Sequence, residues 1–295
     1  MNNLNVSVII PTYNESQAIG QVVTQIRSIH PDFQVIVVDD GSTDGTASAA
    51  RDAGAMVMRH PYNIGNGAAV KTGIRAATGN ILMFMDGDGQ HDPKQIKRLL
   101  EHIPEYDMVV GARPIAQQAS WRRAIGNKIY NWLASYVAKF PIKDLTSGFR
   151  AVKAEIAEKL LYLLPNSYSY PTTLTLGVLR NGMSVKYVPI NVQTRQSGKS
   201  QIRLFKDGVR FFMIITKICT LYSPFRVFLP VSFLMFLLGA INYSYTYFAF
   251  RRFTNMSALL FITSLLIFML GLISEQICQM RFERSEIQKR PKNFE

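Results

Sequence analysis

Short apolar runs alternate with amphipathic segments along the first half of the chain. Each run is bounded by turn residues, as the buried strands of a parallel sheet usually are. After the first run, Ile19, Val22 and Ile26 recur at the spacing of one helix face, which predicts an amphipathic helix. Strands that alternate with helices imply an α/β fold, a mostly parallel sheet with helices on both faces. The predicted strands are Val6–Ile10, Phe33–Val38, Ala55–Arg59, Ile81–Met85 and Asp107–Gly111.

Two long segments near the C-terminal end contain no Asp, Glu, Lys or Arg. Val227–Phe250 and Phe253–Ser274 are each long enough to span a hydrocarbon core of about 30 Å as a helix. Only Arg251 and Arg252 separate them, so the pair predicts a transmembrane hairpin. The predicted domains are an α/β domain at 1–200, a juxtamembrane amphipathic helix at 201–225, two transmembrane helices at 226–280 and a basic tail at 281–295.

Two further segments combine apolar and cationic residues near helical spacing. Gln201–Leu221 leads directly into the first apolar segment, and its mixture of cations and aromatic residues predicts a helix at the membrane interface. Trp121–Phe140 has a similar pattern, although ordinary packing against the sheet is an alternative for it. The chain is therefore expected to be an integral membrane protein with interfacial helices.

The excess of positive charge narrows the classes of partner. The chain has 33 Lys and Arg against 20 Asp and Glu, a formal net charge of +13, which favours a polyanionic partner. The cations cluster around the apolar segments, so a membrane is favoured and nucleic acid is not. Nine cations flank the hairpin, whereas only two lie in its turn. Because Lys and Arg are enriched in the cytoplasmic segments of membrane proteins, the α/β domain and the tail are predicted to be cytoplasmic. The nine are Lys206, Arg210, Lys217, Arg226, Arg281, Arg284, Lys289, Arg290 and Lys292.

Carboxylates collect in the loops that follow three predicted strands. These loops are Pro11–Glu15, Asp39–Thr46 and Asp86–His91. Ligands of parallel α/β sheets bind at the carboxyl ends of the strands. We therefore expect the three loops to converge on one crevice.

The third of these loops offers ligands for a divalent cation. If the extended conformation continues past Met85, Asp86 and Asp88 point to one side of the chain, with only Gly87 between them. Together with Gln90 they supply hard oxygen donors suited to Mg²⁺ or Mn²⁺ with positions left for a diphosphate. An ordinary Asp-Gly turn is the alternative. An EF-hand is excluded because Lys97 stands where its bidentate Glu is required.

Six motifs follow one another between residues 4 and 200. They are VSVIIPTYNE (Val6–Glu15), VVDDGSTDGT (Val37–Thr46), NIGNGAAVKTGI (Asn63–Ile74), MDGDGQHDP (Met85–Pro93), GAR (Gly111–Arg113) and DLTSGFRA (Asp144–Ala151). Together they resemble the family 2 inverting glycosyltransferases, and most of all the polyprenyl-phosphate and dolichyl-phosphate hexosyltransferases. The resemblance implies a GT-A, Rossmann-like fold. It also implies metal-dependent transfer of one sugar from a UDP- or GDP-hexose to a polyprenyl phosphate.

The resemblance also implies roles for individual residues. The residues that it assigns to nucleotide-sugar binding are Pro11, Tyr13, Glu15, Val38, Asp39, Asp40, Met85, Asp86, Gly87, Arg113 and Arg195. Its metal positions are Asp86, Asp88 and Gln90, and its catalytic positions are Asp88, Arg113 and Arg195. The residues expected at the acceptor phosphate are Ser147, Arg150, Lys199 and Gln201. Gln201 departs from the family, which usually carries Lys there, and the nearby cation is Lys199.

Several of these residues have a structural alternative. Asp40 is also suited to stabilising its own turn, and Arg150 to an ion pair at the surface or the edge of the core. The Gly-rich segment Asn63–Ala69 lacks the Lys-Ser/Thr of a Walker loop and the dinucleotide-binding spacing. We therefore expect Gly65 and Gly67 to serve tight packing.

The nature of the acceptor decides the chemistry. A lipid phosphate is ionised at neutral pH, so the protein need only align it and screen the repulsion between two anions. A sugar hydroxyl would need a general base. Asp144 is the candidate base, although an orienting or capping role is favoured for it. The alternative function is a membrane-anchored transferase acting on a saccharide or glycolipid hydroxyl, and a non-catalytic scaffold is a third. A homo-oligomer is compatible with either enzyme.

Overall fold

The computed structural model describes residues 4–113, 131–132, 134–136, 138–167, 170–192 and 223–287. The chain divides into two compact units, Met1–Leu204 and Phe205–Glu295. Arg195, Lys199 and Gln201, the interfacial segment Gln201–Leu221 and most of Trp121–Phe140 lie outside the described residues. The predictions made for them stay predictions.

A seven-stranded sheet forms the centre of the first unit. Its strands are β1 (Val6–Thr12), β2 (Gln34–Asp39), β3 (Met56–Arg59), β4 (Ile81–Phe84), β5 (Met108–Ala112), β6 (Arg150–Lys153) and β7 (Val185–Pro189). Their order across the sheet is β3-β2-β1-β4-β6-β5-β7. Among the described strands, only β6 runs antiparallel to its neighbours, β4 and β5. The predicted mostly parallel sheet is confirmed, and the sequence did not reveal β6 or β7.

Helices cover both faces of the sheet, as predicted. On one face, Val8 and Ile10 of β1 belong to a core that includes the apolar side of the first helix. On the other face, Ile36 and Val38 of β2 pack with Ala69 of the third helix. The helices of this unit are α1 (Ser16–Ile29), α2 (Thr46–Asp52), α3 (Asn66–Ala76), α4 (Ile96–Leu100), α5 (Ala154–Lys159) and α6 (Tyr170–Arg180).

The second unit is a hairpin of two apolar helices, α7 (Phe225–Phe250) and α8 (Asn255–Ile287). Each contains an apolar stretch of 26 residues, long enough to cross a membrane. Two hydrogen bonds connect the helices: the hydroxyl of Ser232 donates to the backbone carbonyl oxygen of Ser264, and the hydroxyl of Ser264 to that of Ser232, each at 2.9 Å. Apolar side chains gain little by meeting each other in lipid, so such polar contacts help to set how the two helices pair. The predicted helical hairpin is confirmed.

Helix α3 lies close against β1 because Gly73 has no side chain. A Cβ atom at this position would overlap Cγ2 of Ile9, which is fully buried. By contrast, a Cβ on Gly20 in the middle of α1 would lie 3.5 Å from the carbonyl oxygen of Ala49, an ordinary contact. Packing therefore requires a glycine at position 73 but not at position 20, so Gly20 can serve as a control for Gly73.

We expect Gly73→Ala to destabilise the α/β unit by about 2 kcal/mol, because the added methyl overpacks the interface between α3 and β1. The midpoint of thermal unfolding of the full chain in detergent should fall by about 4–8 °C. Gly20→Ala is the control and should leave the midpoint unchanged or slightly raised, since Ala is the better helix former. Equal midpoints for the two variants would contradict this account of the packing.

Candidate active site

The loops after β1 and β2 are joined by hydrogen bonds. The backbone N–H groups of Asn14 and Glu15 donate to the hydroxyls of Ser42 and Thr46, each at 2.9 Å. In return, the N–H of Thr43 donates to the side-chain oxygen of Asn14 at 2.9 Å. Asn14 adopts the left-handed conformation, with a φ of 56°, which Asn tolerates better than most residues. The first two predicted loops thus converge.

The third loop lies beside the first. A Cβ on Gly87 would lie 2.6 Å from Cγ2 of Thr12, the last residue of β1. The backbone after β4 therefore passes close to the end of β1, where a side chain on Gly87 would not fit. All three loops meet at the carboxyl edge of the sheet, as predicted.

Asp39 is fully buried at the end of β2. Its Oδ1 accepts from the N–H of Ser42 at 2.9 Å. Its Oδ2 lies 3.2 Å from Nε of Arg59, an ion pair whose angles are not those of a hydrogen bond. Arg59 also donates to the carbonyl oxygen of Ser42 at 2.8 Å. Asp39 therefore shapes the start of the second loop.

Asp40 holds the Gly-rich segment rather than its own turn. Its carboxylate accepts from the N–H groups of Ile64 and Gly65, at 3.0 and 2.8 Å, and contacts Nδ1 of His60 at 2.7 Å. A Cβ on Gly65 would lie 2.5 Å from the carbonyl oxygen of Asn166. Gly67 is similarly tight, and its N–H donates to the carbonyl oxygen of Ser167. The predicted packing role of these glycines is confirmed.

The remaining nucleotide-sugar positions differ in exposure. Pro11, Val38 and Met85 have buried side chains within or beside the sheet. Tyr13 is exposed, and Glu15 is half-buried. Of these five residues, only Tyr13 and Glu15 therefore present substantial side-chain surface.

The acidic pair after β4 is open enough to bind a cation. The Asp86 side chain is 39% exposed, while Asp88 is half-buried and its Oδ1 accepts from the N–H of Gln90 at 3.1 Å. Within the described residues, no group of three or more His, Cys, Asp and Glu is arranged to hold a metal. Asp86, Asp88 and Gln90 nevertheless lie in one loop and carry oxygen donors of the kind that Mg²⁺ or Mn²⁺ prefers. The donor set fits the predicted cofactor.

His91 is a buried neighbour of Asp86. It is 5% exposed, its ring stacks on Phe149 at 5.0 Å, and its Nδ1 lies 3.9 Å from Oδ2 of Asp86. Burial lowers the pKa of His91, against the opposing effect of the Asp86 and Asp88 charges. The imidazole is therefore neutral near pH 7, and it adds no positive charge to the acidic pair.

Arg113 and Asp144 form a two-pronged ion pair. Nε of Arg113 lies 2.8 Å from Oδ2 of Asp144 and Nη2 lies 3.1 Å from Oδ1. Nη2 also donates to the hydroxyl of Thr146 at 2.8 Å. Burial alone would raise the pKa of Asp144, but the hydrogen bonds and charge of Arg113 lower it. Asp144 therefore stays ionised and orients Arg113, as favoured from the sequence.

Arg150 and Ser147 lie below the surface. Arg150 is fully buried and donates from Nε and Nη2 to the carbonyl oxygen of Ser147, and from Nη1 to that of Pro171 at 2.7 Å. Ser147 is also fully buried. This placement does not fit the predicted contact with an acceptor phosphate, because neither side chain is accessible. The alternative of an ion pair does not describe Arg150 either, since the partners found for its guanidinium are neutral oxygens.

Other residues of the site were not singled out from the sequence. They are His60, Thr146, Gly148, Tyr170 and Tyr187, all partly or fully buried around the charged groups. Gly148 was visible within the DLTSGFRA motif, but no local pattern distinguishes the tyrosines from ordinary core residues.

Two family models match the chain. Residues 7–161 match "Glycosyl transferase family 2", and residues 223–280 match "GtrB C-terminal hairpin". The first covers nearly all of β1, β2 to β6 and the three convergent loops, and the second covers α7 and most of α8. The sequence motifs and the two-unit architecture thus lead to the same classification.

Similar proteins agree with it. The chain is 32% identical over 212 residues to the polyprenol monophosphomannose synthase of Mycolicibacterium smegmatis, covering 66% of this chain and 80% of that protein. It is 31% identical over 215 residues to the undecaprenyl-phosphate mannosyltransferase of Micrococcus luteus, covering 68% and 88%.

A solved structure shows the same fold. Glucosyl-3-phosphoglycerate synthase from Mycobacterium tuberculosis, in complex with Mn²⁺, UDP and phosphoglyceric acid, aligns with a TM-score of 0.60 at 20% identity. The alignment covers 74% of this chain and 79% of that one. The predicted GT-A fold is confirmed by this likeness. With its sheet, its convergent loops and its matching motifs, the chain belongs to glycosyl transferase family 2.

Proposed function

We propose that this glycosyltransferase moves a single hexose-type sugar, with inversion, from a UDP- or GDP-sugar to a polyprenyl phosphate at the cytoplasmic face of a membrane. The observation that carries the choice of acceptor is the ion pair of Asp144 with Arg113. A hydroxyl acceptor would need a general base, and the best candidate for that base is Asp144. Both of its carboxylate oxygens are bound by Arg113, and Arg113 lowers the pKa of this carboxyl, which makes it a weaker base. A phosphate acceptor needs none.

The relatives support the same acceptor. Two of them are named for transfer to a polyprenol or undecaprenyl phosphate, and the chain covers most of their length. The hairpin supports this acceptor, because two apolar helices of this length suit a bilayer, where polyprenyl phosphates reside. A transferase acting on a saccharide hydroxyl remains the second candidate, because the GT-A fold itself does not distinguish the two acceptors.

We place the nucleoside of the donor where the loops after β1 and β2 are joined. Tyr13 offers an exposed aromatic surface there, and Glu15 a half-buried carboxylate that can accept from N–H and O–H donors. Asp39 and Asp40 are buried and bonded within the protein. In this proposal they support the walls of the nucleoside site.

We place the diphosphate beside Asp86, Asp88 and Gln90. A divalent cation held there would neutralise charge on the departing nucleoside diphosphate. Arg113 contributes a second positive charge, and its fork is fixed by Asp144. Burial alone would lower the pKa of Arg113, but Asp144 and Asp86 raise it. The guanidinium is therefore charged at every working pH, ready to screen the repulsion between two anionic substrates.

The catalytic groups proposed from the described residues are Asp88 and Arg113. Arg195, Lys199 and Gln201 lie outside them, and their predicted contacts with the two phosphate groups remain predictions. The acceptor phosphate oxygen attacks the anomeric carbon directly, and the nucleoside diphosphate leaves from the opposite side. The chain's task is then to align the two substrates and to balance their charge.

The function can be tested by a transfer assay on the full chain in detergent, with labelled UDP- and GDP-sugars and undecaprenyl phosphate. We expect an acid-labile lipid-linked monosaccharide that EDTA abolishes. Asp88→Asn should lower kcat by at least about 100-fold, because it removes a charged ligand from the diphosphate site. Asp92→Asn is the matched control in the same loop, since Asp92 only caps the turn at Lys94, and it should retain activity. Sugar transfer to a hydroxyl with none to the lipid phosphate would overturn the acceptor.

Asp144→Asn should destabilise the α/β unit at pH 7 by about 3 kcal/mol, because it leaves the partly buried Arg113 without its counter-charge. The folded-state pKa of Asp144 is lowered, so its contribution exists above the unfolded value of about 4 and is lost as pH falls through the folded value. The difference in free energy of unfolding between wild type and variant should therefore shrink as the pH falls into the acid range. Thermal unfolding of both proteins across pH 3–7 measures it, and a gap independent of pH would contradict the ionised pair.

The proposed orientation can be tested with single cysteines. After Cys219 and Cys278 are replaced by Ala, a cysteine at position 252, in the turn between α7 and α8, should react with a membrane-impermeant maleimide in intact cells. A cysteine at position 28, on the exposed side of α1, should react only after the membrane is permeabilised. The reverse pattern would place the α/β domain on the other side.

A further inference from the structure

Gly148 lies directly against the carboxylate of Asp86. A Cβ atom on Gly148 would lie 2.6 Å from Oδ2 and 2.7 Å from Oδ1 of Asp86. Real Cβ atoms do not come this close to other heavy atoms, so the carboxylate rests where any larger residue would place its side chain. Gly148 is itself buried. The backbone at Gly148 therefore forms a wall that limits where the Asp86 oxygens can lie.

Arg150 holds that wall in place. Its Nε and Nη2 both donate to the carbonyl oxygen of Ser147, the residue before Gly148. Its Nη1 donates to the carbonyl oxygen of Pro171 and to the hydroxyl of Thr175, at 2.7 and 3.0 Å, both in α6. One guanidinium thus ties the Ser147–Gly148 backbone to the first turns of α6.

The sheet brings Arg150 to the right place. Arg150 begins β6 and pairs with Phe84, the last residue of β4, and with Val110 of β5. Asp86 follows two residues after Phe84. Because β6 runs against β4, the chain before Arg150 passes over the end of β4, where Gly148 meets Asp86.

Packing alone does not explain a cation at this position. Burying a charge is costly unless it is paired, and replacing buried ion pairs with apolar residues is often neutral or stabilising. The hydrogen bonds found for Arg150 go to neutral oxygens. The hydroxyls of Tyr170 and Tyr187 are buried too and, within the described residues, have no hydrogen-bond partner. Burial lowers the pKa of Arg150, and the nearby Tyr170 and Tyr187 together with the charges of Asp144 and Asp86 oppose this effect.

We propose that Gly148 and Arg150 are positioning residues for Asp86: Arg150 fixes the Ser147–Gly148 backbone, and Gly148 sets the direction in which Asp86 presents its oxygens to a divalent cation. The inference rests on the metal site of the proposed function. Both residues are buried, so the proposal gives them no contact with a substrate. Outer groups that orient a metal ligand typically change metal affinity by about 10–100-fold when they are altered.

The test is direct binding of Mn²⁺ to the full chain in detergent, measured by electron paramagnetic resonance in the presence of UDP or GDP. Gly148→Ala should weaken Mn²⁺ binding by about 10–100-fold, because the added methyl displaces the carboxylate of Asp86. The control is Gly20→Ala, whose Cβ meets only ordinary contacts, and it should bind Mn²⁺ as the wild type does. In transfer assays, the Mn²⁺ concentration for half-maximal rate should rise in Gly148→Ala, while kcat at saturating Mn²⁺ changes less.

Arg150→Lys is the second variant. It keeps the positive charge but loses the planar guanidinium that donates to several oxygens at once. A lysine ammonium cannot reach Ser147 and α6 in the same geometry, so Mn²⁺ binding should again weaken. The midpoint of thermal unfolding identifies any variant that fails to fold, in which case the other variant decides. Wild-type Mn²⁺ affinity in a folded Gly148→Ala or Arg150→Lys protein would overturn the positioning role.

Asp88→Asn separates this inference from the function on which it rests. If Asp88→Asn abolishes Mn²⁺ binding while Gly148→Ala retains it, only the positioning role is wrong. If the wild type binds no Mn²⁺ and its transfer activity survives EDTA, the proposed metal site is wrong and the inference fails with it.

Discussion

The ion pair between Arg113 and Asp144 is the contact on which the geometry of the site depends. Three parallel strands end at one edge and bring several carboxylates there, and acidic groups crowded together repel one another. Arg113, directly after β5, meets Asp144 in a partly buried, two-pronged ion pair with N–O distances of 2.8 and 3.1 Å. The pair anchors the segment that leads to β6, while Asp86 and Asp88 stay partly exposed.

The reversed strand β6 turns this segment into part of the site. Because β6 lies between β4 and β5 and runs against both, its N-terminal approach crosses the carboxyl ends of its neighbours. Gly148 reaches Asp86 by this route, and Ser147 and Arg150 lie on either side of it in the chain. A purely parallel sheet would deliver only the loops at strand ends to this edge, whereas one reversed strand adds the segment that precedes it.

The hairpin depends on a different constraint. In lipid, apolar surface provides little driving force for helix association, so small and polar residues decide how α7 and α8 meet. The paired hydroxyls of Ser232 and Ser264, and the hydrogen bond from Ser257 to Asn242 at 2.8 Å, serve this purpose. The sequence predicted both helices from their lack of charge, but their apolar composition carried no signal for these pairings.

The sequence by itself determined the strands β1 to β5, the helices between them, the hairpin and the family, because periodicity, turn residues and motifs are local properties. It also located the acidic pair Asp86 and Asp88. Only the tertiary structure decided which charged groups are partly exposed and which are buried. Asp40 proved to hold the Gly-rich segment, and Arg150 to lie fully buried against backbone oxygens. The reason is physical: hydrogen bonding and burial depend on neighbours distant in sequence, and the position of β6 in the sheet sets those neighbours.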